Sequence, residues 1–513
     1  MDASSDSLTC PERITTVNRT ALALSLYMTP FFPAFAPLFA NSVKTIRASA
    51  ATTLHQFEAL FGAWMPPGSL SQADEGPHSR QRDWPFRLVF WTFCWQVAQA
   101  GASCREAIRQ AQALCHSVGH KVPPDTTSPY CQARGSLSTE RLEEIHNALV
   151  QEADKALVEK DLWCGHRVLV VDGTTVTAED TLKNQKKFPQ QSVQKAGCGF
   201  PILRVLGLMS LATGMIVAWG VGPWRSHELG LLQTLWDVFN AGDVLLGDRG
   251  FCSWGLLAQC GRRHLHAVFR VKGKMRRDFR RGQHLSKNER LVKWLKPKQR
   301  AKTVSKREWN RLPEELTLRL VRCHLEVAGF RTRQVTLVTT LLDRVKYPAS
   351  ALSQLYLRRW GMELTLRNLK TTLQMEHLSC KTPENLEREI RMHFLLHNLV
   401  RRLMLEAARQ HRVRLDRISF AGSLSASRRF SEALLQVRSL KRRNRLKAEL
   451  LRVIAVDQVP ERPGRREPRA VKRRPKPYPL LMRHRSKFRE ISHQNRYYKN
   501  SVFGPKYRTS AKR

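Results

Sequence analysis

Carboxylates are scarce in this chain. Its 513 residues carry 43 Asp and Glu against 87 Lys and Arg, a formal net charge of +44. An excess of that size excludes a neutral, freestanding globule and points to a polyanionic partner, above all nucleic acid, with an anionic membrane surface as the weaker alternative. Paired cysteines are also missing. The 11 cysteines are scattered, odd in number and never spaced CxxC. A disulfide framework is therefore not expected, and the pattern suits reduced thiols in a cytosolic protein. Cys115-His116 and His120 lack partners at zinc-ligand spacing. One long uncharged run exists, residues 20–43, but Pro30, Pro33 and Pro37 interrupt it. Asp2, Asp6 and Glu12 precede it, where a signal peptide is positively charged. The expectation is a buried or irregular N-terminal arm, or an upstream extension from a misassigned start, and no membrane partner. A base-reading signature is absent as well.

What is present suggests two to four domains, with 42% hydrophobic residues to build their cores. Residues 1–82 form a poorly patterned arm that ends in a Pro-Pro-Gly linker at 66–68. Residues 83–160 have helical periodicity, with Phe86, Val89, Phe90, Phe93 and Val97 at three- and four-residue steps. Ser138 is a plausible cap for the last of these helices. This region reads equally as a DNA-end-binding module or as a helical cap on the next domain. Residues 161–271 alternate strands and helices: 166–176, 204–212, 214–222, 243–251 and 264–272 read as strands, and 227–240 and 252–263 as helices. Residues 272–334 read as a basic, β-rich insertion holding Trp294 and Trp309, after which 335–342 returns to the main sheet. Residues 335–436 complete the core, with an apolar stripe through Met392, Leu395, Leu396, Leu399 and Leu403. Residues 437–513, dense in Lys, Arg and Pro, read as a disordered basic tail that binds DNA nonspecifically or merely solubilises.

The few acids gain meaning from where they fall. Asp172 follows the apolar run VLVV and Asp248 follows VLL, each closing a predicted buried strand. A carboxylate there is costly unless it is paired or binds metal. Asp172-Gly173 also fits a simple turn, and Asp248-Arg249 a local ion pair. The stretch 356–370, YLRRWGMELTLRNLK, adds a third acid, Glu363. It reads as one helix, on which Tyr356, Arg359, Glu363 and Lys370 fall within about 60° of one another. A solvated helix with an Arg359–Glu363 pair is the bland alternative. Three carboxylates from three elements, in so basic a chain, match the oxygen ligands of two-metal phosphoryl transfer.

These residues carry a resemblance. Tyr-x2-Arg-x3-Glu-x6-Lys at 356–370, DGTT at 172–175, NQKKFPQQSVQKAGCGFP at 184–201 and GDRGFCS at 247–253 are similar to the motifs of the bacterial insertion-sequence-four DDE transposases. SCREAI (103–108) and YCQARGSL (130–137) resemble that family's N-terminal region, and the likeness spans roughly 85–410. It implies an α/β fold: an RNase H-like catalytic core (mixed sheet flanked by helices) with a β-rich insertion between Asp248 and Glu363. It implies that Asp172, Asp248 and Glu363 bind two Mg²⁺, with Mn²⁺ able to substitute. It implies cut-and-paste movement of an element, often through a hairpin intermediate. The partner is then double-stranded DNA, both terminal inverted repeats and target, met by a homodimer in a synaptic complex, in the cytoplasm at the nucleoid. Tyr356, Arg359 and Lys370 are expected to hold terminal phosphates, and Arg249 either to do likewise or to balance Asp248. A hairpin step calls for an aromatic under a flipped base, with Trp294 the first candidate and Trp309 the second. An inactivated, DNA-binding repressor derived from such an enzyme is the competing reading.

Overall fold

The computed structural model of the chain describes residues 53, 55–71, 83–195, 197–272, 279–280, 282–324, 334–460 and 487. A helical layer comes first. α1 (Gln56–Phe61) starts where His55 Nδ1 accepts from the Phe57 amide at 3.1 Å. α2 (Phe86–Ala98) is buried on almost every side, as a helix without a polar face must be. α3 (Cys104–Ser117), α4 (Thr127–Gly135) and α5 (Thr139–Lys155) complete the layer. Ser138 caps α5 through the Arg141 amide, as expected from its place in the sequence. Part of the anticipated arm is therefore ordered: Phe57 and Phe61 are fully buried beneath α2. The run 20–43 lies outside the described residues.

The sheet begins with β1 (Val168–Ala178), followed by α6 (Leu182–Lys187), β2 (Ile202–Ser210) and β3 (Ile216–Pro223). Residues 227–240, read as one amphipathic helix, form only α7 (Glu228–Leu232) and a 3₁₀ turn at Trp236–Val238. Gly230 and Thr234 are weak helix formers, and too few turns remain between them to propagate a helix. β4 (Val244–Gly247), α8 (Trp254–Arg262) and β5 (His266–Arg270) follow as expected. The insertion contributes β6 (Gln283–Ser286), β7 (Glu289–Leu295), α9 (Lys306–Asn310) and β8 (Glu315–His324), and β9 (Gln334–Thr339) returns.

All of these strands join one ten-stranded sheet in the order β3-β2-β1-β4-β5-β9-β8-β7-β6. β4 runs parallel to β1 and β5 parallel to β4, while the other neighbours in this order are antiparallel. The insertion is thus not a separate module. Its strands extend the main sheet, because β9 leaves one edge free after pairing with β5 and β8 takes that edge. Arg319 of β8, fully buried, fixes the joint: it donates to Glu289 of β7 and to the Tyr347 carbonyl. Severing such a buried pair on one side costs about 3–5 kcal/mol.

The C-terminal half returns to helices: α10 (Ala349–Arg358), α11 (Trp360–Arg367), a π-turn at Asn368–Thr372, and the short strand β10 (His377–Leu378) beside β1. The 28-residue α12 (Pro383–Gln410) buries the expected Met392-to-Leu403 stripe. Its Asn398 also secures the edge strand: Oδ1 accepts from the Ile216 amide at 2.9 Å, and Nδ2 donates to the Ile216 carbonyl and to His146. Edge backbone that would otherwise invite foreign strands is satisfied in this way. α13 (Phe420–Gln436) and α14 (Leu440–Val456) close the fold. α14 falls inside the expected disordered tail. Its basic residues hide a helical apolar stripe whose Leu450 and Ile454 are fully buried, and it packs on α12 and α13. The rest of the tail, apart from Lys487, is outside the described residues.

Candidate active site

Strand register assembles the site. β1 and β4 run parallel, and their last registered pair is Val171 with Gly247. The next residue after each is an aspartate, and Asp172 and Asp248 lie close enough for the charge of Asp248 to act on Asp172. Asp172 does not close its strand as expected. β1 continues to Ala178, held by β2 alone until β10 arrives at Thr177 and Ala178. Where β4 ends, burial along β1 changes from complete to partial, beginning at Asp172. The Gly173 amide donates to Asp172 Oδ1 at 2.9 Å, and the Gly250 amide to Asp248 Oδ1 at 2.6 Å.

The third acid comes from above the sheet. α11 packs against β1 through Met362, Thr365 and Leu366, and Thr365 Oγ1 lies 3.2 Å from Met209 Sδ of β2. Gly207, directly opposite Asp172 in register, makes this approach possible: a Cβ there would stand 2.8 Å from the Met362 methyl. Glu363, next to Met362 on that helix, lies close enough for its charge to act on Asp172.

Arg359 ties the acids together. Its Nη2 donates to Glu363 Oε1 at 2.6 Å, and its Nη1 lies 3.6 Å from Asp172 Oδ2. Its guanidinium also stands 5.6 Å from the centre of the buried Tyr356 ring. Burial pushes the Asp172 carboxyl up to about 6. The Gly173 amide and Arg359 oppose that shift, and the charges of Asp248 and Glu363 add to it. Burial likewise raises the Tyr356 phenol. Burial works against the charge on Arg359, yet Glu363 and Asp172 hold its pKa above the ordinary value. Carboxylates crowded by design, with one arginine among them, are the usual signature of a functional site.

The donor set suits a divalent cation, which takes hard oxygen ligands. Among the described residues, no three acids, histidines or cysteines stand close enough to share one ion as they lie. Arg359 occupies Glu363 Oε1, at 2.6 Å.

Residues 163–399, which include all three acids, match the family described as transposase DDE domain. The transposase InsG for insertion sequence element IS4 of Escherichia coli (strain K12) is 26% identical over 424 residues, covering 82% of this chain and 92% of that one. These matches support a DDE transposase of the insertion-sequence-four type. A cryo-EM structure of a piggyBac transposase synaptic complex with hairpin DNA is also similar, at 9% identity and a TM-score of 0.38, covering 79% of this chain and 86% of that one. The protein is a DNA transposase, and enzymes of this family work with divalent metal ions. No helix among the described residues is long and apolar enough to cross a membrane.

The transposase departs from its sequence reading around the third acid. The stretch 356–370 is not one helix. α10 ends at Arg358, α11 starts at Trp360, and the π-turn follows. Gly361 and the π-turn are both recognised sources of such breaks. Lys370 sits in that turn, 3.5 Å from Glu376, so a simple helical phase no longer aligns it with Glu363. Arg249 is exposed at the turn after β4. Trp294 lies on β7, half-buried, its carbonyl accepting from the Trp254 indole at 2.9 Å. Trp309 is buried edge-on to Trp254 and serves the core.

Sequence reasoning missed Glu228 and Arg204. Arg204 Nη1 holds Glu228 Oε1 at 3.0 Å, and a Cβ at Gly173 would stand 2.4 Å from that same oxygen. A further carboxylate thus lies against the residue that follows Asp172. Its only sequence signal was an acid opening a weak helix. Trp360, 45% exposed on the first turn of the Glu363 helix, is a second omission.

Proposed function

We propose that this transposase excises an insertion sequence at its terminal inverted repeats and joins it to target DNA, acting as a synapsed pair of protomers. The observation that carries this reading is the parallel register that sets Asp172 beside Asp248, with Glu363 delivered by the helix above them. The order β3-β2-β1-β4-β5, antiparallel and then parallel, supports an RNase H-like core.

Asp172, Asp248 and Glu363 are the residues that would hold two Mg²⁺, or Mn²⁺ in their place. So bound, the ions supply Lewis acidity at the attacking and leaving oxygens of an in-line displacement. The protein's own groups position the DNA. Tyr356 offers a phenol in its neutral form. Arg359, freed from Glu363, offers two N–H donors to a phosphate. Lys370 and Arg249 add point charges to the backbone, and Trp294 offers an indole face to a displaced base. One site serves each step because each is the attack of an oxygen on a phosphodiester.

The test is a nicking assay on terminal-repeat DNA with Mg²⁺. Asp172→Asn, Asp248→Asn and Glu363→Gln are each expected to lose about 4 kcal/mol of transition-state stabilisation, ~10³-fold in rate, while still binding the DNA. Full cleavage by any one of them refutes the site. A wild-type chain that binds the repeats without nicking them is instead a repressor.

A further inference from the structure

Away from the carboxylates, the helical layer meets the base of α12 at a cluster of thiols around one buried cation. Arg134 of α4 is only 9% exposed and forms no ion pair with a carboxylate among the described residues. Its Nη1 donates to Gln96 Oε1 at 3.0 Å and its Nη2 to Cys380 Sγ at 3.3 Å. The Phe93 ring centre stands 4.6 Å from it. Burial of a guanidinium is costly; the Glu389 carboxylate, which accepts from the Cys380 amide at 2.9 Å, offsets part of that cost, and a thiolate nearby offsets more.

Cys104 is placed to be that thiolate. It is the first residue of the 14-residue α3, where unpaired amides and the helix dipole favour negative charge. Two donors point at its sulfur, the Cys131 thiol and Gln96 Nε2, each at 3.7 Å. The hydrogen bond from Cys131 is the largest influence on Cys104 and, with Arg134, draws its thiol down to about 5 against the opposing effects of burial and of the Glu389 charge. The same contact pushes the Cys131 thiol up. Both residues are half-buried, within reach of small solutes, whereas Cys380 is sealed in.

We propose that Cys104 and Cys131 form a redox dithiol that a hydroperoxide oxidises to a disulfide joining α3 to α4. The Cys104 thiolate attacks the terminal oxygen of the peroxide, the O–O bond breaks, and the other oxygen leaves as hydroxide from hydrogen peroxide or as alkoxide from an organic hydroperoxide. Cys104 is now a sulfenic acid, and the peroxide has been reduced by two electrons. The Cys131 sulfur then attacks the Cys104 sulfur. The S–S bond forms, the S–O bond breaks, and the departing hydroxide takes the Cys131 proton as water. The sulfurs must close from 3.7 Å to about 2.05 Å, a side-chain movement. Oxidation removes one of the negative charges beside Arg134 and leaves Glu389 as the other; Arg134 is the same cation that holds Cys380 just ahead of α12.

The full chain, treated with limiting hydrogen peroxide and a metal chelator, is digested and mapped by mass spectrometry. The expected product links the peptides containing Cys104 and Cys131, formed about 10-fold or more faster than oxidation of the exposed Cys164. Cys131→Ser is expected to stop at a sulfenic acid on Cys104, trapped by dimedone. Cys104→Ser is expected to leave Cys131 unreacted. A disulfide elsewhere, faster reaction at Cys164, or equal reactivity of the two serine variants overturns the proposal. The wild-type map decides the matter even if a variant folds poorly.

Discussion

Arg359→Met replaces the guanidinium with a neutral chain of similar length. The hydrogen bond that it loses, 2.6 Å between charged partners, contributes about 1.5–3 kcal/mol. The attraction to Asp172 at 3.6 Å adds about 4–5 kcal/mol at an effective dielectric near 20, before the desolvation of Arg359 is deducted. Arg359 has only 13% of its side chain exposed and a buried Nε without a partner, so that deduction is large. The net expectation is a loss of about 2 kcal/mol in chelator, where three acids are left to repel one another. With saturating Mn²⁺ the ion takes over the neutralisation, and the loss should shrink to below about 1 kcal/mol. Urea unfolding of both proteins, with EDTA and with Mn²⁺, measures this without any turnover. An equal loss in the two conditions would show that Arg359 does not stand in the ion's place, and the reasoning fails.

Other outcomes follow from the rest of the fold. Truncation after residue 460 should lower DNA affinity and flatten its salt dependence while leaving stability intact, whereas truncation after 437 removes α14 and should destabilise the fold. Equal salt slopes with and without the tail would make it a spectator. His55 and His397 are pushed down by burial to about 3, and His146 and His393 to about 4. The unfolded chain therefore binds more protons than the folded one below the ordinary value near 6.5. Stability should fall as pH drops through that value, by about 1.4 kcal/mol per unit for each histidine, until the folded values are reached. Urea unfolding at pH 7 and pH 5 reads the slope, and a flat profile contradicts neutral burial. Trp294→Ala should lower the yield of hairpin DNA ends while shifting the melting temperature only slightly; an unchanged yield removes Trp294 from the site.

The acids themselves were legible in the sequence. VLVV before Asp172 and VLL before Asp248 are apolar runs that only buried strands explain, and an acid at the edge of burial requires a reason. What put the two acids together was not legible, since register depends on pairing between distant segments. The helix carrying Glu363 was read correctly as helical and wrongly as unbroken, because a π-turn and a kink at Gly361 leave local propensity almost unchanged. α14 was lost for a related reason: the charge of KRRNR dominates any compositional view, while three or four apolar residues at helical spacing decide its packing. The continuity of the sheet through β9 depends on which edge is free, a property of the folded molecule alone.

One feature of β1 bears on how such a site comes to be open. Along the edge that β4 and β10 share, β4 pairs as far as Val171 and β10 only at Thr177 and Ala178, and no strand among the described residues fills the interval. The site is thus a missing stretch of sheet, and its width is set by where a neighbouring strand stops. Continuing β4 in register by even two residues would carry its backbone past Asp172, turning an unpaired strand edge into ordinary ladder. Access to the chemistry is governed by strand length, with no lid required.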